Sequence, residues 1–139
     1  MRRHDRGLAH APHTGEPRDT LDQFDGMRVR ATGGLGKAFA AECALRGWNL
    51  FLTDLSDEAL APLAAGLERM YGAEVRTYAA DLTDPTAREA LWDYIRTLGL
   101  RFHFLFNVAG IDYEGLFDER QVDELRTILR LNVESTVEM

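Results

Sequence analysis

From Met27 onward, short apolar runs alternate with longer amphipathic ones, and that alternation restricts the fold more than any other feature of the chain. Residues 48–53 form a short apolar run that ends at Asp54. Residues 74–79 alternate with period two, and residues 102–106 are aromatic and strand-like. Helical windows lie between them. Residues 35–46 put Leu35, Ala38, Phe39 and Cys43 on one face; 57–71 repeat Leu60, Leu63, Leu67 and Met70; 85–98 repeat Ala87, Leu91, Tyr94, Ile95 and Leu98. Ser56, with Asp57 and Glu58 after it, marks one helix start, and Asp84 before Pro85 marks another. A last helix is predicted from about Glu119 onward, with the stripe Val122, Leu125, Ile128/Leu129, Val133 and Val137. Strands and helices in this order predict right-handed βαβ units. The expected class is α/β: a doubly wound parallel sheet of strands one to four, with helices on both faces.

Size and charge narrow the function. The 139 residues have room for one core. A net charge of −7 lacks the basic face that a nucleic-acid partner requires. No apolar run is long enough to cross a bilayer, and no charged-then-apolar leader opens the chain, so no membrane partner is expected. A single cysteine cannot form an internal disulfide, which points to the cytoplasm. Residues 1–26 carry His4, His10 and His13 and no apolar periodicity. They are expected to be a disordered tail, or upstream sequence translated ahead of a start at Met27, and the histidine spacing matches no compact ligand pattern. The domain is expected over 27–139.

The segment Ala31-Thr32-Gly33-Gly34-Leu35-Gly36 joins the first apolar stretch to the first helix. Parallel sheets bind ligands beyond the carboxyl ends of their strands, where helix N-termini offer N–H groups to phosphate and glycine lets the backbone come close. Asp54 closes the second strand 18 residues after Gly36, about where an acid meets an adenosine ribose.

These residues resemble the short-chain dehydrogenase/reductase family, whose loop reads Thr-Gly-x-x-x-Gly-x-Gly; Gly34 and Gly36 match its last two glycines. Asp54 resembles the acid that selects NAD over NADP, and Asp81 in Ala79-Ala80-Asp81-Leu82-Thr83 the aspartate beside the adenine. Asn107-Val108-Ala109-Gly110 looks like the Asn-Asn-Ala-Gly after strand four, and Asn132 like the helix asparagine of the proton relay. The resemblance implies a Rossmann-like fold and NAD, less favourably NADP, as cofactor. It implies Thr32, Gly33, Gly34, Leu35, Gly36, Asp54, Leu55, Asp81, Leu82, Asn107, Ala109 and Gly110 as its contacts, and Asn132 as the catalytic contribution. The reaction implied is hydride transfer between nicotinamide and a small alcohol or ketone, in a homo-oligomer.

The sequence departs from the family in two places. The leading Thr-Gly is absent, its positions holding Val29 and Arg30, and strand one over 27–31 would contain two arginines. A deletion of about three residues, or an error in the sequence, accounts for both, and weakened dinucleotide affinity is expected from such a deletion. The family's catalytic Tyr-x-x-x-Lys is also missing. The one lysine is Lys37, and none of Tyr71, Tyr78, Tyr94 or Tyr113 is followed by lysine four residues on. The 139 residues are therefore expected to be an inactive, cofactor-binding portion truncated before that pair. A decayed, non-catalytic paralogue is the alternative, with an S-adenosylmethionine-dependent methyltransferase a more distant one.

Overall fold

A computed structural model describes the backbone of residues 23–29 and the whole of residues 31–139. Residues 1–22 of the expected tail over 1–26, with its histidines, and Arg30 lie outside the described residues.

The strands are β1 (Gln23–Val29), β2 (Leu50–Asp54), β3 (Val75–Ala79) and β4 (Arg101–Asn107). Between them run α1 (Gly34–Leu45), α2 (Asp57–Tyr71) and α3 (Pro85–Thr97). All pairings are parallel, in the order β3-β2-β1-β4. The chain moves outward from β1 to β3, then crosses back to lay β4 on the other side of β1.

β1 begins at Gln23 rather than Met27, so residues 23–26, expected in the tail, belong to the sheet. Gly26 pairs with Leu50 and Phe104, and Val29 with Thr53 and Asn107. The strand thus draws on residues ahead of Met27 and leaves a link of only four, 30–33, before α1.

β2 shows how the sheet is covered. Leu50 and Leu52 face Ala40, Cys43, Ala44, Leu60 and Leu67 of α1 and α2. Phe51 faces Leu91 and Ile95 of α3, with Leu82 and Leu131. Successive strand residues point to opposite faces, and here both faces are buried, which makes β2 apolar throughout. Thr53, also fully buried, donates its hydroxyl to the Tyr78 carbonyl at 2.7 Å.

Two expectations about helix faces need correction. On α1, Leu35 is 63% exposed and Phe39 is exposed too, while Gly36, Ala40, Cys43 and Ala44 are buried; the sheet takes the small-residue face, which allows close approach. On α2, Met70 is exposed. The aromatic strand β4 is the sheet edge, with Phe104 and Leu105 exposed while Phe102 and Phe106 pack against the core. Trp48 stacks on Phe104, with ring centroids 4.7 Å apart.

The last helical segment is α4 (Val122–Leu129), a π turn (Arg130–Glu134) and α5 (Ser135–Glu138). It starts three residues later than expected, after a 3-10 turn at Phe117–Glu119. The π turn inserts one extra residue and rotates the helix phase. Val133 and Val137 of the expected stripe are consequently exposed, while Leu131, Ser135 and Met139 turn inward; Val122 and Leu129, ahead of the turn, are exposed as well. Among the described residues no helix is long and apolar enough to cross a membrane.

Candidate functional site at the carboxyl edge of the sheet

In a parallel sheet every strand delivers its carboxyl end to one edge, and a crevice opens where the strand order reverses. Here the reversal falls between β1 and β4.

After β1, the Ala31 N–H donates to the Thr53 carbonyl at 3.1 Å, extending the ladder up to the turn. Thr32 and Gly33 make the corner, and the Lys37 N–H donates to the Gly33 carbonyl at 2.9 Å as α1 begins. The α1 N-terminus has no side-chain cap and no acid in its first turn. A helix leaves its first N–H groups without partners inside itself, so this end suits an anion. A Cβ at Gly34 would meet nothing within 4 Å. The chain itself does not require glycine there, and the space is open to a ligand.

After β2, Asp54 is half-buried and tied into the turn. Its Oδ2 accepts from the Thr32 N–H (2.9 Å) and hydroxyl (2.8 Å), and its Oδ1 accepts from the Leu55 N–H (2.8 Å). After β3, Asp81 Oδ1 accepts from the Thr83 N–H (2.9 Å) and hydroxyl (2.7 Å). The helix caps are separate groups, as the sequence predicts. Ser56 Oγ accepts from the Ala59 N–H and Asp84 Oδ1 from the Thr86 N–H.

After β4, Asn107 Nδ2 reaches the Thr136 carbonyl at 3.5 Å. Ala109 and Gly110 follow, then Ile111, whose N–H and carbonyl are both held by Asn132. Asn132 Oδ1 accepts at 3.0 Å and Nδ2 donates at 2.9 Å. A Cβ at Gly110 would stand 3.5 Å from Asn132 Oδ1, so glycine leaves room for that amide. The Asn132 side chain, within the π turn, thus fixes the loop to the last helix.

A cleft of about 270 Å³ lies among these segments. Of the residues predicted from sequence it gathers Asp54, Leu55, Asp81, Leu82 and Ala109. Thr32, Gly33, Gly34, Leu35 and Gly36 sit at the neighbouring turn instead, and Asn107, Gly110 and Asn132 are not part of its lining. Sequence reasoning missed Ala80, Thr83, Ile111, Thr127 and Leu131, which complete the lining. Thr127 and Leu131 are four residues apart, on a helix face the expected stripe did not include.

Arg88 was also missed. It is 2% exposed; Nη1 donates to the Leu82 carbonyl (2.6 Å) and Nε to Glu138 Oε2 (2.6 Å), with Glu134 3.9 Å from Nη2. The signal was available: Arg88 falls on the same α3 face as Leu91 and Ile95, where a cation needs a partner.

A parallel sheet with helices on both faces, reversing its order beside a glycine turn, defines a Rossmann-type α/β protein. The family model of the short chain dehydrogenases matches residues 29–139, and the chain belongs to that family. It is 34% identical over 115 residues to a very-long-chain 3-oxoacyl-CoA reductase of Anas platyrhynchos, covering 78% of this chain and 36% of that protein. It is 30% identical over 131 residues to the inactive hydroxysteroid dehydrogenase-like protein 1 of Homo sapiens, covering 88% and 38%. A solved short-chain dehydrogenase from Sphingobium yanoikuyae in complex with NADPH superposes with a TM-score of 0.73 at 26% identity, over 83% of this chain and 45% of that one. The chain spans less than half the length of these relatives.

Proposed function

We propose that this chain is the dinucleotide-binding part of a nicotinamide-dependent oxidoreductase acting on an alcohol or ketone. The observation that carries the reading is the cleft at the strand reversal, with Asp54 and Asp81 on it and the uncapped α1 N-terminus beside it. The pyrophosphate belongs at the α1 N-terminus, where N–H groups and the helix dipole favour negative charge. The adenine belongs between the apolar residues of the cleft, with Asp81 accepting from its amino group. Asp54 meets the ribose, and its charge opposes a 2′-phosphate, which favours NAD. The NADPH bound by the Sphingobium yanoikuyae relative makes NADP the alternative.

The nicotinamide, when bound, supplies the hydride donor or acceptor. This chain's residues bind and orient. Asn132 holds the loop after β4, and no tyrosine among the 139 residues precedes a lysine by four. The chain is therefore read as a binding portion without turnover of its own.

Thermal melts of the 139-residue chain with NADH and with NADPH test this. Ligand at a hundred times its Kd adds about 2.7 kcal/mol to stability. A midpoint raised by NADH more than by NADPH, with the shift reduced in Asp81→Asn, is expected. A cooperative melt that neither dinucleotide moves contradicts the reading.

A further inference from the structure

Asp54 is the acid set to read the ribose, yet its acceptors are largely occupied by its own chain. A carboxylate offers about four lone-pair sites. Two on Oδ2 are taken by the N–H and hydroxyl of Thr32, and one on Oδ1 by the N–H of Leu55. One site on Oδ1 remains. A pair of adjacent ribose hydroxyls bridging the carboxylate would need an acceptor on each oxygen, so the second hydroxyl finds Oδ2 filled.

The shortened link places Thr32 there. With only residues 30–33 between β1 and α1, the chain turns next to the end of β2, where Ala31 is still hydrogen-bonded to Thr53. Thr32 follows immediately and closes on the Asp54 carboxylate.

We infer that Thr32 is a specificity-determining residue that competes with the adenosine ribose for Oδ2 of Asp54. The inference rests on the dinucleotide reading above. Both Thr32 donors are directed at Asp54, so neither is left to receive a 2′-phosphate, and the carboxylate opposes that phosphate by charge. The clasp therefore weakens binding of the unphosphorylated dinucleotide without opening the site to the phosphorylated one.

Titration calorimetry of the full chain with NADH and NADPH tests the inference in wild type, Thr32→Val, Asp54→Asn and the double variant. Valine keeps the shape of threonine and removes only the hydroxyl. Thr32→Val is expected to bind NADH about tenfold tighter, the scale of one hydrogen bond to a charged group, while melting at a lower temperature without ligand. The gain should vanish in the Asp54→Asn background, and NADPH should gain less than NADH. NADH affinity unchanged or weakened in Thr32→Val overturns the inference, as does a gain that persists without the Asp54 carboxylate. Binding by wild type with no gain in Thr32→Val sinks the competition alone. Absence of binding in all four proteins sinks the dinucleotide reading with it.

Discussion

Arg88 joins the wall of the cleft to the last helix, and its surroundings are asymmetric. The guanidinium is buried, whereas Glu138 is half exposed. Removing either partner has different consequences. Glu138→Ala leaves a buried cation with the Leu82 carbonyl and a distant Glu134, and is expected to cost about 3 kcal/mol, the low end for a broken buried pair. Arg88→Met leaves a carboxylate that water can reach and one buried carbonyl unmet, and is expected to cost less, about 1–2 kcal/mol. Urea unfolding of the two variants checks the order; a larger loss for Arg88→Met contradicts this account. That Asp54, Asp81 and the glycine turn fall at strand ends could be read from sequence, because the order of the elements puts them there. Their partners could not. Nothing in the sequence directs Thr32 to Asp54, or Asn132 to Ile111 across 21 residues, since such contacts depend on how the turns close.

Helices that start on a local signal lie where the sequence puts them. α2 begins behind Ser56, whose hydroxyl accepts from the Ala59 N–H and donates to Glu58 Oε2 at 2.7 Å. That donation, helped by the backbone N–H of Glu58 itself, holds the Glu58 carboxyl below its ordinary value, with a slight opposing effect of burial. A carboxyl whose folded pKa is depressed stabilises the fold above its unfolded pKa, and the contribution is lost as pH falls through the folded value. Ser56→Ala is expected to cost about 1 kcal/mol near neutral pH and to return Glu58 toward its ordinary value. Side-chain carbon NMR across the acid range reads the shift directly; an unmoved Glu58 would contradict the assigned cause. In α3, Leu91 is fully buried against the sheet, and Leu91→Ala is expected to cost about 2–5 kcal/mol in the same unfolding experiment. The last helix was harder to read. Its apolar spacing assumes 3.6 residues per turn throughout, and the π turn at Arg130–Glu134 breaks that assumption midway.

For the whole molecule, strand–helix alternation was sufficient to give a parallel doubly wound sheet, but not the start of its first strand. β1 reaches back to Gln23, and β4 lies at the edge with Phe104 and Leu105 exposed. An exposed apolar edge strand is a template for a second chain. Sedimentation is expected to give a mass above the 15.7 kDa monomer, falling toward it in Phe104→Lys; a wild-type monomer at high concentration contradicts this. The proposed dinucleotide site draws on all four strand ends at once, so its footprint would be distributed along the sequence. Hydrogen–deuterium exchange of the 139-residue chain, with and without saturating NADH, reads that footprint. Slowed exchange is predicted in four separate segments, around residues 32–37, 54–55, 81–83 and 109–111. Unchanged exchange at those segments, or protection confined to a surface away from the carboxyl edge of the sheet, would contradict the assignment.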